Sequence, residues 1–264
     1  MKSASIETMA PTLLYEAADG VAVLTLNEPK RRNVLSTTTL AALKERLALI
    51  GQDMDVKVVI LRAEGPVFSS GHDLRELQKA DAAENAAIFS LCSEVMEAVR
   101  LLPQPVIAQV QGLATAAGCQ LVATCDLAVS SEEAAFATPG VKIGLFCTTP
   151  GVALARAVPA KKAMEMLLTG TPISASEALK HGLVNKVVPA ATLAEETMAL
   201  AKHVAAASAH ILRIGKQAFY RQIALDRPEA YRMAEGVMCE NLLEPDAKEG
   251  ISAFLEKRTP HWQD

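Results

Sequence analysis

The chain has 264 residues, half of them apolar and 4% aromatic, with a formal net charge of −4. That length suits one α/β core, and the apolar content is enough to fill it. The acidic balance excludes the basic face of a nucleic-acid binder, and no apolar run reaches the roughly 18 residues that span a bilayer.

In chain order, residues 13–16 and 21–26 read as two strands joined through Asp19-Gly20, a hairpin turn pair. Residues 27–33 form a polar loop holding Lys30, Arg31 and Arg32. Ser36 is placed to cap a helix over 37–50, where Leu40, Leu43, Leu47 and Ile50 keep helical spacing. A strand over 56–61 is broken by Gly65-Pro66. From Leu74 the chain is polar and reads as a mobile connection. A long helix over 82–101 ends before Pro103 and Pro105, and 106–110 is a buried strand. A second turn opens a short helix through Val122. A strand at 127–129 and another near Phe136 follow. Beyond Thr149 the pattern is helical: 150–157, 160–168, 174–181, 191–206, 209–220, 228–243 and 245–257.

The first part thus alternates strand and helix, and the last part is nearly all helix. No low-complexity linker divides them. The chain reads as an α/β core over 1–200 that runs without a break into a helical C-terminal region over 201–264. Strand–strand–helix units recur at 13–50 and 56–101, which suggests a coiled stack of repeats.

Cys92, Cys119, Cys125, Cys147 and Cys239 show neither a CxxC pair nor Cys/His metal spacing. The odd count predicts reduced, packed thiols. The N-terminus resembles neither a secretory signal nor an Arg-rich transit peptide. Together these predict a cytoplasmic location.

Two small-residue turns carry the chemistry: Phe68-Ser69-Ser70-Gly71-His72-Asp73-Leu74 and Ala116-Ala117-Gly118-Cys119-Gln120. Both lead into helices. Two such turns can aim two backbone N–H groups at one oxygen and stabilise an enolate without a side chain.

These turns, their spacing and the helical tail resemble the crotonase (enoyl-CoA hydratase/isomerase) superfamily. The resemblance covers roughly residues 12–262. It rests on Lys30, Arg31 and Arg32 before Asn33-Val34-Leu35, on the first turn, and on the GLATAAGCQLVATCD run at 112–126. TGTPISASEA at 169–178 and KEGISAFLEKR at 248–258 complete it. The segment 136–156 is similar to one branch in particular. The resemblance implies a spiral of ββα units, a helical trimerisation region, a homotrimer or a hexamer of paired trimers, and coenzyme A thioesters as ligands. It implies no tightly bound cofactor and no metal. The oxyanion hole would be the N–H groups of His72 and Ala117.

The family's hydratases use two glutamates on a water. By the resemblance, these fall at Gln120 and Gly140, so neither acid–base group is present. Such groups contribute ~10²–10⁴-fold each. Hydration is therefore expected to be weak, and Gln120→Glu with Gly140→Glu is expected to raise it. Glu132 and Glu133 read as a solvated turn, and Cys147 as a packed thiol or a nucleophile without a visible base. His72 reads as a substrate contact or as a loop-stabilising residue. The ligand contacts implied by the resemblance are Ser70, His72, Asp73, Leu74, Arg75, Ala117, Phe146 and Cys147. Arg31 and Arg32 would meet the phosphates of coenzyme A. Phe254 and Lys257 would reach the ligand from the last helix. Three readings remain open: an acyl-CoA enzyme (hydration, isomerisation, decarboxylation or thioester hydrolysis), a non-catalytic acyl-CoA binder or scaffold, and a structural partner in a mixed oligomer.

Overall fold

Asp19 and Gly20 both take positive φ (52° and 78°), as a tight hairpin requires. They join β2 (Leu13–Ala18) to β3 (Val21–Leu26), and β1 (Glu7–Ala10) pairs antiparallel with β2. The computed structural model describes residues 7–10 and 12–263. Ser36 caps α1 (Thr37–Ile50) by accepting from the Thr39 N–H. β4 (Val58–Ala63) then lies parallel to β3. A tight loop leads into β5 (Val67–Ser69), and α2 (Leu74–Lys79) and α3 (Ala82–Leu101) follow. Next come β6 (Val106–Val110) and β7 (Leu113–Thr115), leading to α4 (Ala117–Thr124), and then β8 (Leu127–Ser131) and β9 (Ala135–Ala137). A 3-10 turn at Pro139–Ile143 precedes α5 (Thr148–Ala157) and α6 (Ala160–Thr169). β10 (Ile173–Ser174), α7 (Ala175–Lys180), β11 (Lys186–Val188) and α8 (Leu193–Ala205) complete the core.

The strands form two sheets. The larger runs β1-β2-β3-β4-β6-β8-β11, and the smaller runs β10-β9-β7-β5. Three times in succession the chain crosses the large sheet, then the small one, then enters a helix. That repeat is the spiral. β3 is buried along its whole length because the large sheet is covered on both faces. Ala22, Leu24, Val59, Leu61 and Ala108 pack toward α1, α3 and the small sheet. Val21, Val23, Val58, Ile60 and Ile107 pack beneath Leu193 and Ala201 of α8.

The C-terminal helices are α9 (Ala209–Gln222), α10 (Arg227–Asn241) and α11 (Pro245–Glu256). α9 is pinned to the core by Lys216, whose side chain is 7% exposed. Its ammonium donates to Asp126 Oδ2 (2.6 Å) and to the carbonyls of Gln104 (3.0 Å) and Val99 (3.2 Å). Tyr220 donates to the other oxygen of Asp126 at 2.8 Å, and the Val106 N–H donates to Oδ2 at 2.7 Å. The half-buried carboxylate is thereby matched at the point where β6 begins.

The helices at 37–50 and 82–101 agree with the sequence reading, as do the two hairpin strands. Three expectations need correction. The connection after Leu74 is the helix α2, because Asp73 caps it and Glu76 accepts from both the N–H and the hydroxyl of Thr37. The strand expected from Val56 begins at Val58. The helical second half also contains β10 and β11, which are too short to show a two-residue period.

Candidate active site

The first turn is built on Asn33 and Ser69. Asn33 is buried in a left-handed conformation (φ 49°). Its Oδ1 accepts from the Glu28 N–H at 2.8 Å, and its Nδ2 donates to the carbonyls of Glu64 (2.8 Å) and Val67 (2.7 Å). Ser69 Oγ donates to the Asn33 carbonyl at 2.8 Å and accepts from the Gly71 N–H at 3.2 Å. The Ser70 N–H reaches the Arg32 carbonyl, and the Leu35 N–H reaches the Gly71 carbonyl. The turn leaving β5 is therefore clamped to the loop before α1. Sequence reasoning missed Asn33 and Ser69 as positioning residues. The available signal was an Asn beside the basic loop, a residue type that tolerates left-handed backbone.

The second turn is held by the Ala116 N–H, which donates to the Ala137 carbonyl at 2.9 Å. Ala116 sits at φ 52°, ψ −120°, an unfavourable region for a side-chain-bearing residue. α4 starts immediately after it.

The two turns touch at Gly71. Its φ is 82°, and a Cβ there would lie 3.0 Å from the Ala117 nitrogen and 2.9 Å from Ala116 Cβ. Next to this contact are the N–H groups of His72 and Ala117. Neither donates to a protein group among the described residues. The Ala117 N–H is also the first of α4, where the helix dipole favours an anion. Two unpaired donors beside a helix N-terminus can stabilise charge on a thioester oxygen.

The His72 ring packs edge-on against Phe89, with centroids 5.2 Å apart. Burial lowers its pKa, and Glu76 only partly opposes this, so the imidazole is neutral near pH 7. Asp73 caps α2 through the Arg75 N–H, and its other oxygen is bound by the Arg31 guanidinium. Arg31 also reaches Glu28 at 3.1 Å. This pair ties the basic loop to the first turn. Arg32, Leu74 and Arg75 are exposed at its rim, and Ser70 is half-buried.

Gln120 lies one helical turn beyond Ala117 and is 5% exposed. Its side chain makes no hydrogen bond among the described residues, and Oε1 is buried without a partner. Gly140 is walled in. A Cβ there would lie 2.6 Å from the Leu145 carbonyl oxygen and 2.7 Å from Cys147 Sγ. The Gly140 N–H instead donates to that sulfur at 3.3 Å. The place where a second carboxylate would attach is thus filled by the loop before α5. Burial raises the Cys147 thiol pKa, against the Gly140 N–H, and pushes Cys119 up to about 12. Both thiols are protonated at neutral pH and packed. Phe146 is half-exposed, and Glu132 and Glu133 are exposed.

The two turns do not gather Phe254 or Lys257. α11 packs on α9, Phe254 is 83% exposed, and Lys257 ends the helix in a left-handed conformation. A cavity of about 680 Å³ lies elsewhere, lined by Arg100, Leu101, Tyr220, Arg221, Leu225 and Met233. It holds none of the turn residues. Among the described residues there is no cluster of metal-ligating side chains, and no helix is long and apolar enough to cross a membrane.

The model of the family described as enoyl-CoA hydratase/isomerase matches residues 16–264. The human enoyl-CoA hydratase domain-containing protein 3, mitochondrial, is 54% identical over 245 residues, which are 92% of this chain and 81% of that protein. The crystal structure of that human protein superposes with a TM-score of 0.92 at 52% identity, covering 95% of this chain and all of the solved one. The crystal structure of an enoyl-CoA hydratase from Mycobacterium smegmatis gives a TM-score of 0.94 at 47% identity, covering 97% of this chain and all of that one. The branch that 136–156 resembles is that of the human relative. The cytoplasmic expectation is corrected: the names of the human, mouse and rat relatives point to mitochondria. Reduced thiols do not distinguish the two compartments. With its length matched and its fold shared, the chain belongs to the enoyl-CoA hydratase/isomerase family.

Proposed function

We propose that the protein binds acyl-CoA thioesters and stabilises the thioester enolate oxygen through the N–H groups of His72 and Ala117. The observation that carries this reading is the contact of the two turns at Gly71, beside two backbone donors with no protein acceptor among the described residues. One such donor contributes roughly 3 kcal/mol in other enzymes. The thioester is a substrate or ligand, not a resident cofactor. Arg32 and Arg75, exposed at the rim, meet the phosphates, while Arg31 holds Asp73 in place. The working form is a homotrimer or a pair of trimers, and the setting is mitochondrial, as in the relatives' names.

Hydration of an enoyl thioester needs a group that takes a proton from water. Gln120 cannot, and Gly140 has no side chain. The chemistry left to the site is thioester enolate formation assisted by the ligand itself, as in decarboxylation, or slow hydration or isomerisation. Gln120 and Gly140 equally support a second reading, a non-catalytic acyl-CoA binder. Calorimetry with butyryl-CoA, followed by turnover assays on crotonyl-CoA and methylmalonyl-CoA, tests both. Binding with negligible crotonyl-CoA hydration is expected. No binding at millimolar ligand would end both readings, and rapid hydration would refute the role given to the missing carboxylates.

A further inference from the structure

The cavity of about 680 Å³ lies where the ends of α3 and α9 face α10. It stands apart from the turns. They meet at the start of α4, whereas the cavity borders Tyr220, which bonds Asp126, two residues beyond the end of that helix. An eight-residue helix is about 12 Å long, so roughly that length separates the two places. The cavity floor is fixed. The Tyr220 hydroxyl donates to Asp126 at 2.8 Å, and Lys216, one turn earlier on α9, donates to the same carboxylate at 2.6 Å. The Arg100 guanidinium lies over the Tyr220 ring, 5.5 Å from its centroid, and is held by Glu97 at 2.6 Å. Leu101, Leu225 and Met233 supply apolar wall, and the two leucines are exposed. No acidic residue lines the cavity. Arg221, in the last turn of α9, has no hydrogen bond or ion pair among the described residues.

An apolar pocket of this size with a few charged groups to fix orientation has the usual form of a small-molecule site. We propose that this cavity is a second ligand site that takes a monocarboxylate with a hydrocarbon chain. The carboxylate meets Arg221, and the chain runs along Leu101, Leu225 and Met233. Charge decides the head group. Arg100 is already matched by Glu97, which leaves one guanidinium without a counter-ion. A single carboxylate matches that guanidinium in bidentate geometry. A coenzyme A thioester brings several phosphate charges, most of which stay unpaired here. A cationic amphiphile meets like charge, and an alcohol leaves Arg221 unmatched. The site does not depend on the acyl-CoA reading of the turns.

The test is calorimetric titration of the full chain with decanoate, decan-1-ol, decylamine and acetate, each below its aggregation concentration. Decanoate is expected to bind at a single site per chain, at least about tenfold more tightly than the alcohol or the amine, the gain of a charge-assisted hydrogen bond. Acetate, which lacks the chain, should not bind measurably. Arg221→Gln should weaken decanoate by about tenfold and leave decan-1-ol unchanged. Ala224→Trp, at an exposed position on the cavity wall, should abolish decanoate binding by filling the space. Saturating butyryl-CoA should leave decanoate affinity unaltered. No decanoate binding overturns the inference, as when a second copy of the chain covers the cavity. Equal affinity for the alcohol or the amine overturns it too, as does decanoate binding that survives both substitutions or is displaced by butyryl-CoA. Should a variant not fold, the ligand series on the unmodified protein still decides. Failure of butyryl-CoA to bind defeats the acyl-CoA reading alone, since decanoate is measured without it.

Discussion

Replacing Gly71 by alanine tests whether the contact between the turns sets the site. Two separate effects follow from the structure. At φ 82° an L-side chain costs about 1–2 kcal/mol. Forcing a Cβ to within 2.9 Å of Ala116 Cβ and 3.0 Å of the Ala117 nitrogen adds about 1–3 kcal/mol. Gly144 separates the two effects. Its φ is 78°, yet nothing lies within 4 Å of a Cβ built there. Gly144→Ala should therefore lose only the backbone part, about 1–2 kcal/mol. Urea unfolding of the two variants at one protein concentration gives the difference, expected as a lower midpoint for Gly71→Ala at similar slope. Butyryl-CoA affinity should fall for Gly71→Ala, because the turns separate. The reasoning is refuted if Gly71→Ala is no less stable than Gly144→Ala and binds ligand within twofold of the parent.

Lys216→Met strands the Asp126 carboxylate beneath α9 and should cost about 3–5 kcal/mol in urea unfolding, while Asp126→Asn combined with Lys216→Met should recover part of that loss. Gly140→Glu, alone or with Gln120→Glu, should lower stability and add no crotonyl-CoA hydration, since its Cβ meets the Leu145 carbonyl and Cys147; an active double variant would show that the loop opens readily. His72 has a folded pKa below its ordinary value of 6.5, so the unfolded chain binds the extra proton first. Its contribution is full above pH 6.5 and is lost as pH falls from there toward the folded pKa. His72→Gln should flatten the stability profile as pH falls below 6.5; an unchanged slope would place the titration elsewhere.

The long elements were legible in the sequence because each carries its own period and punctuation. α3, for example, starts at an Asp81 capping box and ends before Pro103. The short strands of the small sheet were not. Three residues such as Leu113–Thr115 cannot display alternation, and their pairing depends on partners distant in sequence. The two turns could be read from their small residues and from the family resemblance. The supports of the first turn could not, since Asn33 works by reaching Glu64 and Val67 across the fold. The walls around Gly140 were equally invisible. Sequence reading treated that position as an empty slot awaiting a carboxylate, whereas the loop at 144–147 occupies it.

That loop also fixes what position 140 can accept. The Leu145 carbonyl and the Cys147 thiol stand where a side chain on residue 140 would begin, and the Gly140 N–H bonds the thiol. A carboxylate introduced there would require the chain to withdraw Cys147 and rebuild the bend before α5, so this wall of the pocket is closed to change by a single substitution.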